Sequence, residues 1–408
     1  MLRRHVVGLT ITKAQCQQDT ILFPYTEASE FEHLELKLTG AKVILTGRHG
    51  KYFWLRLSLG VLLMHFGMTG MIKLRDVDSH MIFMENGGDK KVKDGVVVKE
   101  AGSDEWPPRF CKFELAFDNG LELAFRDPRR LARFKWFEDG VDTDEALLNI
   151  APLAVLGPDY SKPRTPLLAT EEPFTYGDPD PDPHGRPHLD YDGFAKLVLS
   201  RKKPLKSMLL DQTLFCGVGN WVADEVCYQS RIHPNEVLLQ KILDSDHPAL
   251  KTLYEKLIYV CLYAVGCEAD VTKYPEDWLM LHRWGKGRKQ KATVASGHVV
   301  EHVTIGGRTS CFVPELQKKL PRPTGGGDSD VENHDPDDDV TVKTESETTT
   351  TKSEIKSETT NGKLKAKATK TELVTVTTRV KREPKRRLDP NEWLYVPERK
   401  LRLHSRIN

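Results

Sequence analysis

The sequence predicts an α+β protein, because the spacing of its apolar residues changes twice along the chain. Short runs rich in β-branched and aromatic residues, bounded by glycine, fill residues 5–75 and 111–137 and are typical of strands. A helical period follows from Tyr191 to about Val271, and short strand-like runs with glycine at their corners return between residues 279 and 315. We therefore expect a layered strand domain, a helical domain, a small β-structure and a polar tail.

The first domain, residues 1–150, contains the clearest strand patterns. The runs "AKVILTG", "KYFWLRLS" and "VLLMHFGM" are short and apolar and contain or adjoin glycine. The runs "CKFELAF" and "LELAF" flank Asp118-Asn119-Gly120, as the two arms of a β-hairpin do. "ARFKWFE" predicts one more strand, whereas residues 76–108 are polar and rich in glycine, lysine and aspartate, which indicates a surface insertion.

Four further segments complete the predicted organisation. Residues 151–189 are rich in proline, aspartate and glycine and predict a linker. Residues 190–275 carry the helical period, and residues 276–320 form the predicted hairpin domain. Residues 321–408 hold few apolar side chains and are first acidic and then basic, which predicts a disordered tail.

Composition excludes several classes of protein. No apolar run approaches the roughly 18 residues of a membrane span, so we expect no membrane association. Seven cysteines without a CxxC pair argue against a disulfide scaffold and a four-cysteine zinc site, and we expect reduced thiols, no metal and no cofactor. The net charge of +1 is the sum of acidic and basic segments, so it does not exclude a nucleic-acid partner.

The segment Leu209–Val226 combines a glycine turn with the start of a helix. We expect one helix to end near Phe215, Gly217 and Gly219 to make the turn, and Asn220 to open the next helix. The N-terminal amides of that helix suit a DNA phosphate. A plain corner inside a helical core explains the pattern about equally well.

Cationic side chains stand at three predicted turns. Lys51 follows a glycine before an aromatic strand, Arg129 stands with Leu131 at an Asp-Pro turn, and Arg308 follows a Gly-Gly tip. Lys51 suits a phosphate or proton transfer, Arg129 suits a phosphate and a base stack, and Arg308 can reach into a groove. Solvated surface charge is the alternative for the two arginines. Met68, at a strand-to-turn junction, suits a wedge between bases or a gap in the core.

Together and in this order, these motifs resemble the formamidopyrimidine-DNA glycosylase family. The matching residues are "GKY", "HFGMTG", "DPRR", "LLDQTLFCGVGNWVADE", "IHP" and "GGRTSCFVPELQ", between Gly50 and Gln317. The resemblance implies an N-terminal antiparallel β-sandwich followed by a helix-two-turns-helix domain. The Gly-Gly-Arg hairpin without paired cysteines is similar to the zincless finger of the family's plant and fungal branch.

The resemblance also implies a role for each matching residue. Lys51 matches a lysine of β-elimination and phosphate contact, and Arg308 matches the fingertip arginine of δ-elimination and phosphate binding. Asn220 matches an asparagine that contacts the same DNA backbone, and Lys112 loosely matches a DNA-contacting position. The residues that match those filling the space left by the extruded base are Met68, Arg129 and Leu131, the last where the family usually has phenylalanine.

The implied activity is base excision repair by a monomer that acts on damaged double-stranded DNA. A bifunctional glycosylase/AP lyase of this family removes 8-oxoguanine or formamidopyrimidines and nicks the abasic site by β- and δ-elimination. The family's mature chain begins with Pro-Glu, whose secondary amine attacks C1′ of the damaged nucleotide. This sequence begins Met1-Leu2-Arg3-Arg4 and matches the family from the end of its first helix.

Three functions therefore stay open at this point. We favour a working glycosylase/lyase whose start lies upstream of Met1. The first alternative is a pseudoenzyme that binds damaged DNA through Lys51, Asn220 and Arg308 without chemistry. The second is a nucleic-acid or ribosome-binding module, since ribosomal proteins contain similar helical segments, but the strand domain and the Gly-Gly-Arg hairpin argue against it.

The tail contains two segments of its own. Val380–Arg387 holds five cations in eight residues, which predicts a nuclear-localisation or DNA-tethering stretch, with a solvated charge run as the alternative. We expect a nuclear protein, with mitochondria as a further location. Residues 391–403 carry the tail's only aromatic side chains and predict a binding segment for a partner that the sequence does not name.

Overall fold

Two four-stranded antiparallel sheets make up most of the N-terminal part of the chain. The computed structural model describes residues 1–23, 31–77, 90–93, 96–99, 105–138, 141–162, 186, 188–283 and 291–321. All of them belong to one compact unit. The predicted disordered tail, apart from its first residue, the basic and aromatic segments within it, most of the predicted insertion and much of the predicted linker lie outside the described residues.

The order of the strands across each sheet differs from their order along the chain. From one edge to the other, the first sheet contains β1 (Ile11–Cys16), β8 (Cys111–Phe117), β9 (Glu122–Arg126) and β5 (Met71–Leu74). The second sheet contains β10 (Arg133–Phe137), β4 (Gly60–His65), β3 (Tyr52–Leu57) and β2 (Val43–His49). A separate hairpin contains β6 (Lys90–Lys93) and β7 (Val96–Lys99).

The two large sheets pack face to face around an aromatic core. Phe113 and Phe125 of the first sheet meet Phe134 of the second edge to face, with ring centroids 5.2 and 4.7 Å apart. Aliphatic residues from both sheets complete the same buried cluster. This packing confirms the predicted antiparallel β-sandwich.

The second sheet is buried on its outer face as well. Helix α3 (Asp144–Leu148) covers that face, and its apolar residues pack with Trp54, Val61 and Leu63. The indole Nε1 of Trp54 donates to the Asp144 carboxylate over 3.0 Å. Burial on both faces explains why the β4 sequence "VLLM" is apolar without alternation.

Most local predictions for the strand domain are confirmed, but the expectation of strands throughout residues 5–75 was wrong at α2 (Phe31–Leu38), a helix whose residues Leu34 and Leu38 are buried in the sandwich core. The predicted end of a first helix and the strand after it are α1 (Leu2–Val6) and β1, and α2 follows. The predicted hairpin joins β8 to β9 around Gly120, whose φ of +85° suits glycine. The "ARFKWFE" strand is β10.

The helical domain begins where its apolar period begins. Asp190 caps its first helix by accepting a hydrogen bond from the Gly193 amide over 2.8 Å, and Pro248 starts the longest helix at a position that needs no amide donor. No helix in the described ranges is long and apolar enough to cross a membrane. The helices are α4 (Tyr191–Leu199), α5 (Leu205–Leu209), α6 (Asn220–Gln229), α7 (Pro248–Gly266) and α8 (Leu279–His282).

Two predicted boundaries in this part of the chain were wrong. Helix α5 ends at Leu209 rather than near Phe215, because the Asp211 side chain accepts from the amide and hydroxyl of Thr213 and holds the chain in a turn. Strands were predicted from residue 279, but α8 occupies the start of that range. Its first residue, Leu279, is fully buried in an apolar cluster.

The C-terminal hairpin consists of β11 (Glu301–Ile305) and β12 (Arg308–Phe312). Gly306 and Gly307 form its two-residue turn with φ values of +55° and +72°, as a type I′ turn requires. An apolar cluster that includes Val300, Cys311 and Val313 packs the hairpin against Tyr228 of α6 and against α8. Gly306 of the turn lies against Ser207 of α5, and Thr309, the residue after Arg308, accepts a hydrogen bond from Asn220 at the start of α6.

Candidate functional site

The turn between β2 and β3 is pressed against the segment that precedes α6. A Cβ atom on Gly50 would lie 2.1 Å from the Cys216 sulfur and 2.9 Å from the Gly217 amide nitrogen. Gly50 also has φ +59°, a conformation that glycine adopts without strain. Both the close contact and the positive φ therefore require glycine at this position. The contact brings the next residue, Lys51, to the helical domain.

A buried carboxylate, Asp159, holds this contact together. Its Oδ2 accepts from the Gly50 amide over 2.7 Å and from Arg48 over 3.0 Å, and its Oδ1 accepts from Ser161. Burial acts to raise the pKa of Asp159, but Arg48, Lys162 and the donated hydrogen bonds outweigh it and lower the pKa below its ordinary value. The sequence reasoning missed Asp159, because it lies in a segment that reads as linker.

Lys51 reaches the start of α6. Its Nζ lies 3.3 Å from the Val218 carbonyl oxygen and beside Gly219, the N-cap of α6. The side chain as a whole is exposed, but its ammonium group is partly enclosed by protein atoms. This burial lowers the pKa of Lys51; the Cys216 side chain raises it and Arg308 lowers it further. Lys51 and Arg308 are thus electrostatic neighbours.

His65 lies beside Lys51 as an uncharged imidazole. Burial, followed by Lys51 and Arg133, lowers the pKa of His65 to about 4. Its Nδ1 accepts from the Gly67 amide over 2.9 Å, and its ring lies 4.7 Å from that of Tyr52. A neutral ring that accepts at Nδ1 carries its proton on Nε2, so His65 is a neutral donor next to two cations.

Asn220 joins the start of α6 to the C-terminal hairpin. Its Nδ2 donates to the Thr309 carbonyl over 3.1 Å, while its Oδ1 is buried and accepts no hydrogen bond from the described residues. Because the N-cap is Gly219, it offers no side chain to cap the first amides of α6. These amides and the neighbouring cations Lys51 and Arg308 make this place suited to an anion.

A buried ionic network lies behind Asn220. Lys206 Nζ donates to Asp224 over 2.5 Å and to the Thr309 carbonyl over 3.2 Å, and Arg283 donates to the other oxygen of Asp224 over 2.9 Å. The exposed fractions of the Lys206 and Asp224 side chains are 0% and 1%. Burial lowers the pKa of Lys206, and the ion pair with Asp224 acts in the opposite direction.

A second group of predicted residues is organised by Asp127, which is fully buried. Its carboxylate accepts from the Thr69 hydroxyl over 2.7 Å and from the amides of Arg129, Leu131 and Ala132 over 3.1, 2.7 and 2.8 Å. One carboxylate therefore fixes two loops, the one that follows β4 and the one that precedes β10.

These two loops carry the predicted wedge residues. A Cβ atom on Gly67 would lie 2.3 Å from the Leu131 carbonyl oxygen, so the loops are in close contact. Met68, next to Gly67, is 65% exposed, and Arg129 is exposed as well. An exposed methionine on a loop held this firmly is not filling the core, and its role as a wedge stays a prediction.

Lys112 lies apart from both groups as a buried residue. It donates to Gln17 over 2.9 Å and stands 3.9 Å from Asp19. The same aspartate accepts two hydrogen bonds from Arg130, the neighbour of Arg129. Lys112 thus packs behind the loop that carries Arg129, and its contact with DNA stays a prediction.

The site as described contains no metal centre. No group of three or more His, Cys, Asp or Glu side chains in the described ranges is arranged to hold a metal ion. Its chemistry is that of cations, helix amides and a neutral imidazole. Such a set suits phosphate groups.

Comparisons with known proteins identify the family. The sequence model "Formamidopyrimidine-DNA glycosylase N-terminal domain" matches residues 1–134, and the H2TH domain model of the same family matches residues 179–274. A formamidopyrimidine-DNA glycosylase of Arabidopsis thaliana is 30% identical over 321 residues, which cover 78% of this chain and 68% of the relative. The chain belongs to the formamidopyrimidine-DNA glycosylase family. This is a family of DNA glycosylase/lyases, and the plant relative is consistent with the predicted branch.

Further similarities extend to bacteria and to solved structures. The enzyme of Geobacter sulfurreducens is 25% identical and is covered over 94% of its length. The Lactococcus lactis Fpg in complex with DNA containing an abasic site has a TM-score of 0.52 at 20% identity, over 78% of this chain and 96% of that one. MutM in complex with DNA containing carbocyclic 8-oxo-G has a TM-score of 0.51 at 21% identity. These structures share the fold with this chain.

Proposed function

We propose that this protein removes oxidised purines, 8-oxoguanine and formamidopyrimidines, from double-stranded DNA and nicks the abasic site by β- and δ-elimination. The observation that carries the proposal is the convergence of Lys51, Asn220 and Arg308 from three separate segments at the start of α6. Relatives solved with abasic or 8-oxo-G DNA support this choice of substrate.

The proposed mechanism separates DNA binding from bond cleavage. Lys51, Arg308 and the first amides of α6 hold the phosphates around an extruded nucleotide, which stabilises it outside the base stack. Met68, Arg129 and Leu131 fill the space that the nucleotide leaves. The rigid contacts of Asp159 and Asp127 keep both groups in place before DNA arrives, so little free energy is spent on ordering them.

The family resemblance supplies the covalent steps. A proline secondary amine attacks C1′, the glycosidic bond breaks, and the base leaves with a proton. The sugar ring then opens at O4′, which takes a proton, and the resulting iminium makes the C2′ proton acidic. Loss of the C2′ proton expels the 3′ phosphate, and loss of the C4′ proton then expels the 5′ phosphate. Lys51 and Arg308, on the phosphates, are proposed to assist the two eliminations.

Borohydride trapping tests the proposal. The protein is isolated with its native N-terminus, established by mass spectrometry of the terminal peptide, and mixed with a duplex containing 8-oxoguanine opposite cytosine. We expect a covalent protein–DNA adduct and a nicked strand, with neither formed on the undamaged duplex. Lesion-selective binding without an adduct would indicate a pseudoenzyme instead. Preference for undamaged RNA would indicate a nucleic-acid-binding module.

A matched pair of variants tests the role of Lys51. Lys51→Met is expected to lower the nicking rate by about 100-fold, the order of effect of a positioned proton-transfer or charged group. Lys251→Met is the control, since Lys251 is exposed on α7 and pairs at 3.8 Å with the exposed Asp246. Equal rates for the two variants would contradict the role of Lys51.

We further propose that the protein acts as a monomer in the nucleus. The basic stretch Val380–Arg387 supports the location. Replacing its five cations with glutamine in a fluorescent fusion is expected to shift the protein out of the nucleus. Sedimentation with and without DNA measures the monomeric state.

A further inference from the structure

Two polar anchors, one on each strand, are among the contacts in the described ranges that attach the C-terminal hairpin to the helical domain. On β12, the Thr309 carbonyl accepts from Lys206 over 3.2 Å and from Asn220 over 3.1 Å. On β11, the His302 ring bonds the Arg283 carbonyl over 3.2 Å. Thr309 is the residue directly after Arg308, so the first anchor acts within one residue of the exposed fingertip cation.

The first anchor depends on a buried ion pair. Lys206 is fully buried, and its ammonium group donates one hydrogen bond to Asp224 and another to Thr309. Asp224 is neutralised from its other side by Arg283, whose side chain is 7% exposed. Burying one anion between two cations costs free energy unless all three charged groups are well hydrogen-bonded. Such a network is therefore better explained as a way to specify one arrangement of the chain than as a source of stability.

We propose that the Lys206–Asp224–Arg283 network is a positioning device that sets where Arg308 stands relative to Lys51 and Asn220. Lys206 is the positioning residue, and it acts through the Thr309 carbonyl on the adjacent arginine. The inference rests on the proposed function, because it concerns the placement of a phosphate-binding arginine. It assigns Lys206 an indirect role and no contact with DNA.

A double-mutant cycle separates positioning from general structural support. The variants are Lys206→Met, Arg308→Ala and the pair together. Lys206→Met leaves Asp224 paired with Arg283, so no buried charge is left alone. Binding is measured by fluorescence anisotropy with a duplex carrying a tetrahydrofuran abasic analogue, beside the same duplex without it. Thermal unfolding of each variant checks that the fold is intact.

We expect Lys206→Met to weaken analogue binding about tenfold in the native background, within the range of coupled neighbours. In the Arg308→Ala background the same change is expected to weaken binding less than twofold, since the residue that Lys206 positions is gone. Equal losses in both backgrounds would overturn the inference alone. An Arg308→Ala variant that binds like the native protein would overturn the role of Arg308 as well, which distinguishes the two failures.

A second variant keeps the test decisive if Lys206→Met unfolds. His302→Ala removes the contact between β11 and the Arg283 backbone carbonyl, and it leaves the side-chain contacts among Lys206, Asp224 and Arg283 in place. It is expected to show a smaller loss of binding that also disappears in the Arg308→Ala background. Lys251→Met serves as the matched surface control and is expected to bind like the native protein in both backgrounds.

Discussion

Replacing Gly50 with alanine tests the contact that brings the β2–β3 turn to the helical domain. The added methyl group would lie 2.1 Å from the Cys216 sulfur and 2.9 Å from the backbone nitrogen of Gly217. The sulfur belongs to a buried side chain and the nitrogen to a packed turn, so neither has open space to move into. The turn must therefore shift, and Lys51 shifts with it.

Two costs add up in this variant. A φ of +59° costs a residue with a Cβ about 1–2 kcal/mol. Forcing extra volume into a packed contact costs about 1–3 kcal/mol more. The expected loss of unfolding free energy is therefore about 2–5 kcal/mol. Since 1 kcal/mol corresponds to roughly 2–4 °C in a domain of this size range, the change is measurable by thermal unfolding.

Gly120→Ala is the matched control. Gly120 has φ +85° in the β8–β9 turn, and a Cβ there would meet nothing within 4 Å. The Gly120→Ala variant has the cost of the backbone conformation but no collision. We therefore expect it to lose about 1–2 kcal/mol of unfolding free energy. The difference between the two variants measures the contact with Cys216 and Gly217.

The assay pairs thermal unfolding with binding of the abasic-analogue duplex. Gly50→Ala is expected to lower both stability and affinity, whereas Gly120→Ala lowers stability alone. Adding Cys216→Ala to Gly50→Ala removes the nearest colliding atom and is expected to restore part of the loss. Equal effects of the Gly50 and Gly120 variants on stability and binding would refute the reasoning.

Three further predictions concern other parts of the molecule. Asp127→Ala leaves four donors without their acceptor, and we expect a loss of about 3 kcal/mol or more in urea unfolding, with weaker binding of lesion DNA; native-like stability would contradict the role of Asp127. Burial raises the pKa of Glu225 from 4.5 to about 7, so the folded state holds this proton more tightly than the unfolded state and stability falls as pH rises from about 4.5 to 7. Glu225→Gln is expected to lack about 3 kcal/mol of this loss of stability. The variant is then more stable than the native protein at pH 8 and similar at pH 4. A difference in unfolding free energy between the two proteins that does not change with pH in urea titrations would exclude this. Arg308→Ala is expected to weaken lesion-DNA binding by about 1–3 kcal/mol in anisotropy titrations, since a phosphate loses a charged donor, and unchanged affinity would contradict that role.

The strands and helices could be predicted because their signals are local. Alternating side chains, the Asp-Asn-Gly turn and the Gly-Gly tip at Arg308 each act over a few residues, and the structure confirms these elements. The two predicted boundaries that were wrong depend on side-chain contacts as well as on the local pattern. Helix α5 ends early because of the side chain of Asp211, and α8 forms because Leu279 finds a buried cluster.

The sequence alone predicted only some of the residues of the candidate site. Lys51, Asn220 and Arg308 stand at recognisable turns, and the structure brings them together. Asp159 and Lys206 were missed, since one lies in a linker-like segment and the other reads as an ordinary basic residue before a helix. One signal for Asp159 is that it stands alone between apolar residues and prolines. That pattern does not reveal which residues contact its carboxylate.

The sequence by itself thus determined the family, the order of the domains and the residues that stand at turns. Only the tertiary structure decided which charges are buried and what they hold. The Gly50 amide and the Asp159 carboxylate are 109 residues apart in the chain. A buried carboxylate is stable only where donors from distant segments converge on it, and spacing along the chain does not encode that convergence.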